Sequence, residues 1–188
     1  MIVGDPSVFA IESHITEAYQ RPSQLALGFF VIHVSGFAFG VRTTDATMLA
    51  CSYEAVLRRM DHRGKHIAPF ANELAGEIAD AFRNAVYGEE LRNNYFGLTH
   101  DQFSSFFEEP STDLIWAPDG DEAFDDGSYV LQFDVGQNVR LIAFRTFTSG
   151  AHDPRTLVDT WLAADDYYDA LKRWREAFKS EWESLRPR

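Results

Sequence analysis

A single cysteine, Cys51, in 188 residues excludes an internal disulfide framework and a paired-cysteine metal knuckle. Long apolar runs are also missing. The longest uncharged apolar stretch, Leu25–Val41, is broken by His33, Ser35 and three glycines. It falls short of the ~20 consecutive apolar residues of a spanning helix. Met1 to Pro6 has neither the basic nor the apolar region of a secretory leader, so a reducing cytosol is the expected compartment. Basic side chains are scarce, 17 Lys and Arg against 29 Asp and Glu, for a net charge of −12. That disfavours DNA or RNA as a direct ligand, because such binding rests on neutralising phosphates with Lys and Arg. What is present looks ordinary: 45% apolar and 24% charged residues exclude a disordered, collagenous or coiled-coil chain. No repeat, low-complexity tract or linker divides the sequence, and its length suits one domain over residues 1–188.

The charge is local. Between Arg92 and Arg140 there is no Lys or Arg, but there are ten acids: Asp101, Glu108, Glu109, Asp113, Asp119, Asp121, Glu122, Asp125, Asp126 and Asp134. A solvated acidic loop region explains this as well as an electrostatic docking face for a basic partner does. Asp119–Glu122 and Asp125–Gly127 also offer carboxylates to a hard cation such as Ca²⁺. Their spacing matches no known loop, so no metal site is assigned.

Phe9–Ile15 alternates like a half-buried strand, and Gly4-Asp5-Pro6 reads as the turn that launches it. Leu25–Val34 is apolar on both faces, as in a central strand. Ser35-Gly36 then turns the chain into a return strand, Phe37–Phe39, and Thr47–Ala50 adds a short one. Ser52 is the expected N-cap of a helix over Tyr53–Arg63, stopped by Gly64. A second helix is expected over Phe70–Tyr87, with Phe70, Leu74, Ile78, Phe82 and Val86 on one stripe. His100–Phe107 suggests a short helix and Asp113–Ala117 a short strand, followed by a turn at Pro118-Asp119-Gly120. Ser128–Val135 and Val139–Phe147 form an expected hairpin about Gly136-Gln137-Asn138, and Thr156–Leu162 a further strand. From Ala164 onward, Tyr167, Leu171, Trp174, Phe178 and Leu185 recur at helical spacing. Acids lie in its first turns and bases further along, as the helix dipole prefers, with Asp169–Arg173 as an i,i+4 pair. Trp182 falls at the edge of that stripe, where exposure is expected. The sum is an α+β fold: a mainly antiparallel sheet packed with two to three longer helices, including the amphipathic C-terminal one.

No nucleophile elbow, phosphate loop, dinucleotide fingerprint, HExxH or EF-hand pattern occurs. Arg58 and Arg59 read as residues of a helix's last turns that complement its dipole, with Gly64 as the cap. Gly64 also separates His62 from His66, which argues against a shared metal face. The other histidines have no sequence-local catalytic partner, and Cys51 reads as a buried, inert thiol. No catalytic residue, cofactor or metal ligand is therefore assigned. A small enzyme with a pocket of dispersed histidines and carboxylates stays open, as does an acidic interaction domain of another kind.

Several framework segments carry a resemblance. They are Ile2–Glu12, the hairpin Leu27–Gly40, Val130–Asp134, Val139–Phe144 and Leu162–Leu171. Together they are similar to the immunity protein 42 family of bacterial polymorphic-toxin systems. The likeness spans both ends and leaves Thr44–Pro118 less covered. It implies a small cytosolic protein that binds and blocks a cognate toxin delivered by a neighbouring cell, acting by occlusion and without catalytic residues. It further implies a basic toxin domain, with a nuclease as one candidate, and leaves homo-oligomerisation open. An acidic face that mimics phosphate would steer such a partner and cover its cleft. The residues expected to form it are Glu108, Glu109, Asp113, Asp119, Asp121, Glu122, Asp125 and Asp126.

Overall fold

The alternating segment at Phe9 forms a ten-residue strand, Phe9–Ala18 (β2), in the computed structural model, which describes residues 1–21, 23–108, 114–116, 122–147 and 151–187. Ahead of it, Ile2–Asp5 is itself a strand (β1), paired antiparallel with β2 from Ile2 against Glu12. Asp5 heads the turn between them, its carboxylate accepting from Ser7 N at 2.9 Å and Ser7 Oγ at 2.7 Å. Ala26–Val34 (β3) is the central strand. Ser35 and Gly36, at φ +50° and +81°, make the left-handed two-residue turn that suits the twist of a hairpin, and Phe37–Phe39 (β4) returns along β3. Thr47–Met48 (β5) pairs lower on the same strand, opposite Leu27 and Gly28, which completes a five-stranded antiparallel sheet.

Gly28 sits where two backbones nearly touch. A Cβ there would lie 1.9 Å from His14 O, beside the bulge between Ile15 and Glu17. Gly28→Ala is expected to cost about 2 kcal/mol, because backbone must move rather than a side chain. A urea midpoint unchanged from the parent protein would refute this.

Ser128–Val135 (β6), Asn138–Arg145 (β7) and Val158–Ala163 (β8) form a second antiparallel sheet in the order β6-β7-β8. The expected single sheet is thus two. Leu114–Trp116 runs beside β6, Trp116 N donating to Val130 O and Gln132 N to Leu114 O, both at 2.9 Å. Asp113, Ala117 and the turn expected at Pro118–Gly120 lie outside the described residues.

β6 and β7 of this second sheet are buried on both faces, and period-two alternation divides their side chains between two cores. Val130, Val139, Leu141 and Ala143 join the core shared with the five-stranded sheet. Leu131, Phe133, Ile142 and Phe144 join an aromatic-rich core on the other side. Two helices close the first core: Leu49–Asp61 (α1) and Ala164–Leu185 (α4), the 22-residue C-terminal helix. The second core is closed by Ala75–Tyr87 (α2) and His100–Glu108 (α3).

Four local expectations change. α1 begins straight off β5 with Met48 as its N-cap; Ser52 is inside the helix, buried, and its hydroxyl caps nothing. α2 begins at Ala75, not Phe70, and Leu74 is its 70% exposed N-cap. Phe70 still reaches the core, but from the preceding turn, where it meets Phe96, Phe103 and Phe133. Its spacing from Leu74 mimicked a helical stripe. Trp182 is buried, its Nε1 donating to Tyr19 O at 3.0 Å, and Cys51 is exposed rather than buried. Neither reversal is visible along the helix alone, because each depends on what packs beside it.

Candidate functional site

Of the eight acids expected to form a binding face, four are described. Glu108 is exposed at the end of α3. Glu122 is exposed at the head of a 3₁₀ turn, Glu122–Phe124, whose Ala123 and Phe124 are buried and hold it in place. Asp125 is exposed just beyond. Asp126 is engaged internally. It lies 3.0 Å from Arg145 Nε and accepts from Ser128 N at 3.2 Å and Gly40 N at 3.3 Å. Glu109, Asp113, Asp119 and Asp121 lie outside the described residues.

Asp134, from the same acidic stretch, also turns inward. It accepts from Gly64 N at 2.6 Å and from the Tyr168 hydroxyl at 3.0 Å. Tyr168 belongs to a polar cluster wedged between α1, β6 and α4. Tyr167 donates to Gln132 Oε1 at 2.6 Å, and Trp116 Nε1 donates to the Tyr167 hydroxyl at 3.1 Å. Arg59 donates to Gln132 Oε1 at 3.0 Å and to Ile115 O, with its guanidinium 4.5 Å from the Trp116 ring. Burial pushes the Tyr167 hydroxyl well above its ordinary pKa. Burial, with Asp134 beside it, does the same for Tyr168. Both therefore stay protonated and donate. Arg59 was expected to complement the dipole at the helix surface; it is fully buried instead and bolts α1 to the second sheet. The cluster is structural: Arg59, Tyr167 and Gln132 reach no solvent.

The surface holds a second acidic feature that linear reading missed. A cleft of about 380 Å³ opens between the β1–β2 turn, the end of β8 and the first turns of α4. Gly4, Asp5, Val8 and Phe9 line it from the β1–β2 side, Leu162 from β8, and Asp166, Asp169, Ala170 and Arg173 from α4. Arg173 is taken up by Asp169 at 2.7 Å. The Ser7 hydroxyl and N–H hold the Asp5 carboxyl below the usual carboxylate range. In the sequence, Asp166 and Asp169 are acids of the first turns of a helix, Asp169 at i,i+4 spacing from Arg173. Nothing in the sequence joins them to Asp5, more than 150 positions away.

His62 and His66 bring their ring centroids to 6.4 Å, and His33, His152 and His100 each have partners of their own. His33 Nε2 lies 2.8 Å from Glu12, which also meets Arg42. His152 pairs with Asp80 at 2.7 Å. His100 Nε2 lies 3.0 Å from Ala85 O and Nδ1 3.1 Å from Asp101. The Ala85 carbonyl first, then Asp101, raise its pKa, since both stabilise the doubly protonated ring. The acidic cleft has no histidine in its lining, and no group of three or more His, Cys, Asp or Glu among the described residues is arranged to hold a metal.

A protein family described as immunity protein 42 matches residues 1–177. No curated protein matches the sequence. Among solved structures, the fold is similar to one described as the crystal structure of CdiI from Burkholderia dolosa AUO158. That likeness has a TM-score of 0.55 and 17% identity, over 92% of this chain and 97% of that one.

Proposed function

This chain belongs to the immunity protein 42 family, and on that premise we propose that it binds and neutralises a cognate toxin by occlusion, without turnover. The observation that carries the reading is the extent of the family match, which runs through both sheets and most of α4. Residues 1–188 act as one unit in this reading. The site of action is the cytoplasm, where a toxin delivered by a neighbouring cell is met.

The partner is a basic toxin domain, and a nuclease has the right charge. An acidic protein accelerates encounter with a basic partner through its long-range field, an effect that salt screens. The net charge of −12 supports that role. The exposed Glu108, Glu122 and Asp125 carry it among the described residues; Glu109, Asp113, Asp119 and Asp121 belong to the same proposal. Asp126 contributes mainly by holding Arg145.

Co-expression with the toxic C-terminal domain encoded beside this chain tests the main reading. Growth is expected to be rescued, and the purified pair to bind with nanomolar-range affinity. Toxicity that persists, with no complex formed, refutes it. For the charge component, the triple variant Glu108→Gln, Glu122→Gln, Asp125→Asn is expected to slow association about 3- to 10-fold at low salt and to flatten its salt dependence. Association kinetics equal to the parent's would move the steering elsewhere.

A further inference from the structure

The second sheet ends in β8, whose outer side pairs with no strand among the described residues. The two-residue turn Gly136–Gln137, with Gly136 at φ +60°, joins β6 to β7. It makes Val135 and Asn138 the closing hydrogen-bonded pair. Val139, Leu141 and Ala143 therefore direct their N–H and C=O groups toward β8. Gln137 O agrees, accepting from Ala164 N at 2.9 Å on that same side. Their partners on β8 are Leu162, Thr160 and Val158. Of the intervening residues, Asp159 and Trp161 turn both main-chain groups outward and Ala163 turns its N–H outward, while the Ala163 carbonyl opens α4 as its N-cap; no other strand among the described residues pairs with that side.

Edge strands are normally shielded by lysine, proline or a bulge. β8 reads Val-Asp-Thr-Trp-Leu-Ala and pairs with β7 in unbroken register. Its one charged side chain, Asp159, is held at 2.8 Å by Arg140. Trp161 stands 45% exposed beside it. At its far end the edge leads into the acidic cleft, since Leu162 also lines that cleft. There, three carboxylates face one arginine that is already paired.

We propose that β8 receives an extended segment of the cognate toxin as an added strand, hydrogen-bonded to Asp159, Trp161 and Ala163, with a Lys or Arg of that segment in the cleft of Asp5, Asp166 and Asp169. The proposal rests on the immunity reading and specifies its contact surface. Main-chain bonds supply the affinity of such an arrangement, and the cleft selects a basic side chain.

Ala163→Pro is the discriminating variant. Ala163 already sits at φ −59° and ψ 135°, within the range that proline imposes. Its N–H points outward, so no internal bond is lost. The preceding Leu162 is in a strand, the conformation favoured before proline. The variant is therefore expected to melt within about 2 °C of the parent. It removes one donor and places a ring where the added strand must lie. Dissociation from the purified toxin domain is expected to quicken at least ~10-fold, the order of one lost hydrogen bond plus a steric block. In the parent complex, hydrogen exchange at the Trp161 and Ala163 amides should slow. Asp5→Asn with Asp166→Asn should weaken binding and reduce its salt dependence. A parent-like dissociation rate in Ala163→Pro, or no added amide protection, overturns the proposal while leaving the immunity reading intact. A dimer of the chain alone that Ala163→Pro dissolves would overturn it too, by assigning the edge to a second copy. Failure of the unaltered chain to bind and protect would defeat the immunity reading itself, and this inference with it.

Discussion

Arg59→Ala is expected to remove about 3–5 kcal/mol of folding stability, the scale for breaking one side of a buried charged network. Arg59 is fully buried, and its loss acts at three places. Ile115 O loses its guanidinium donor, the Gln132 carbonyl keeps only Tyr167, and the Trp116 ring loses the cation above it. Asp134 is linked to the same cluster through Gln132 and Tyr168, so the disturbance reaches the turn at Gly64 that it holds. Arg59→Lys should not restore the loss, because a single ammonium cannot reproduce the planar fork. Arg59→Met, which keeps volume without charge, tests whether packing or hydrogen bonding dominates. Urea unfolding measures all three; a loss below about 1 kcal/mol in Arg59→Ala would mean that the cluster is not the bolt between α1 and the second sheet.

Trp174→Ala should cost a similar amount, about 3–5 kcal/mol, for an apolar reason. Trp174 is fully buried at the meeting of α4, α1 and the five-stranded sheet. Its ring stands edge-on to Phe30 at 5.3 Å, stacks on Phe178 at 5.1 Å and meets Tyr53 of α1 at 6.3 Å. Nε1 donates to Ser13 Oγ at 3.0 Å. Trp174→Phe should keep most of the packing but strand that buried hydroxyl, for a smaller loss of about 1–2 kcal/mol. Thermal melts of the two variants give the split; a Trp174→Phe variant as stable as the parent would deny the hydrogen bond any role, and equal losses would deny the packing any. Neither residue lies on the surface, so both variants should lower protection only through the abundance of folded protein. Ala163→Pro should lower it at unchanged stability. That contrast separates a framework defect from an interface defect.

The acidic stretch shows how far charge counting reaches. Its ten carboxylates without a base are plain in the sequence. That Asp126 is spent on Arg145 and Asp134 on the turn at Gly64 is not, because those partners lie on other elements. The cleft beside β8 is the converse case: Asp166 and Asp169 look like routine helix-start acids until β1 brings Asp5 opposite them.

What the sequence determined by itself is whatever short-range pattern and turn chemistry decide. Alternation placed β2 and β6, a run apolar on both faces placed β3, Ser35-Gly36 and Gly136-Gln137 closed their hairpins, and helical spacing marked α4 to within a residue of its start. The framework segments carried the family likeness that the match over residues 1–177 then established. Tertiary structure alone decided where α1 and α2 begin, why Cys51 is exposed and Trp182 is not, that Arg59 is internal, and which strands lie at the sheet edges. Each of these is set by burial against a distant segment. A helix start yields to the strand that feeds it, and a charge goes inside only when remote donors and acceptors are there to receive it.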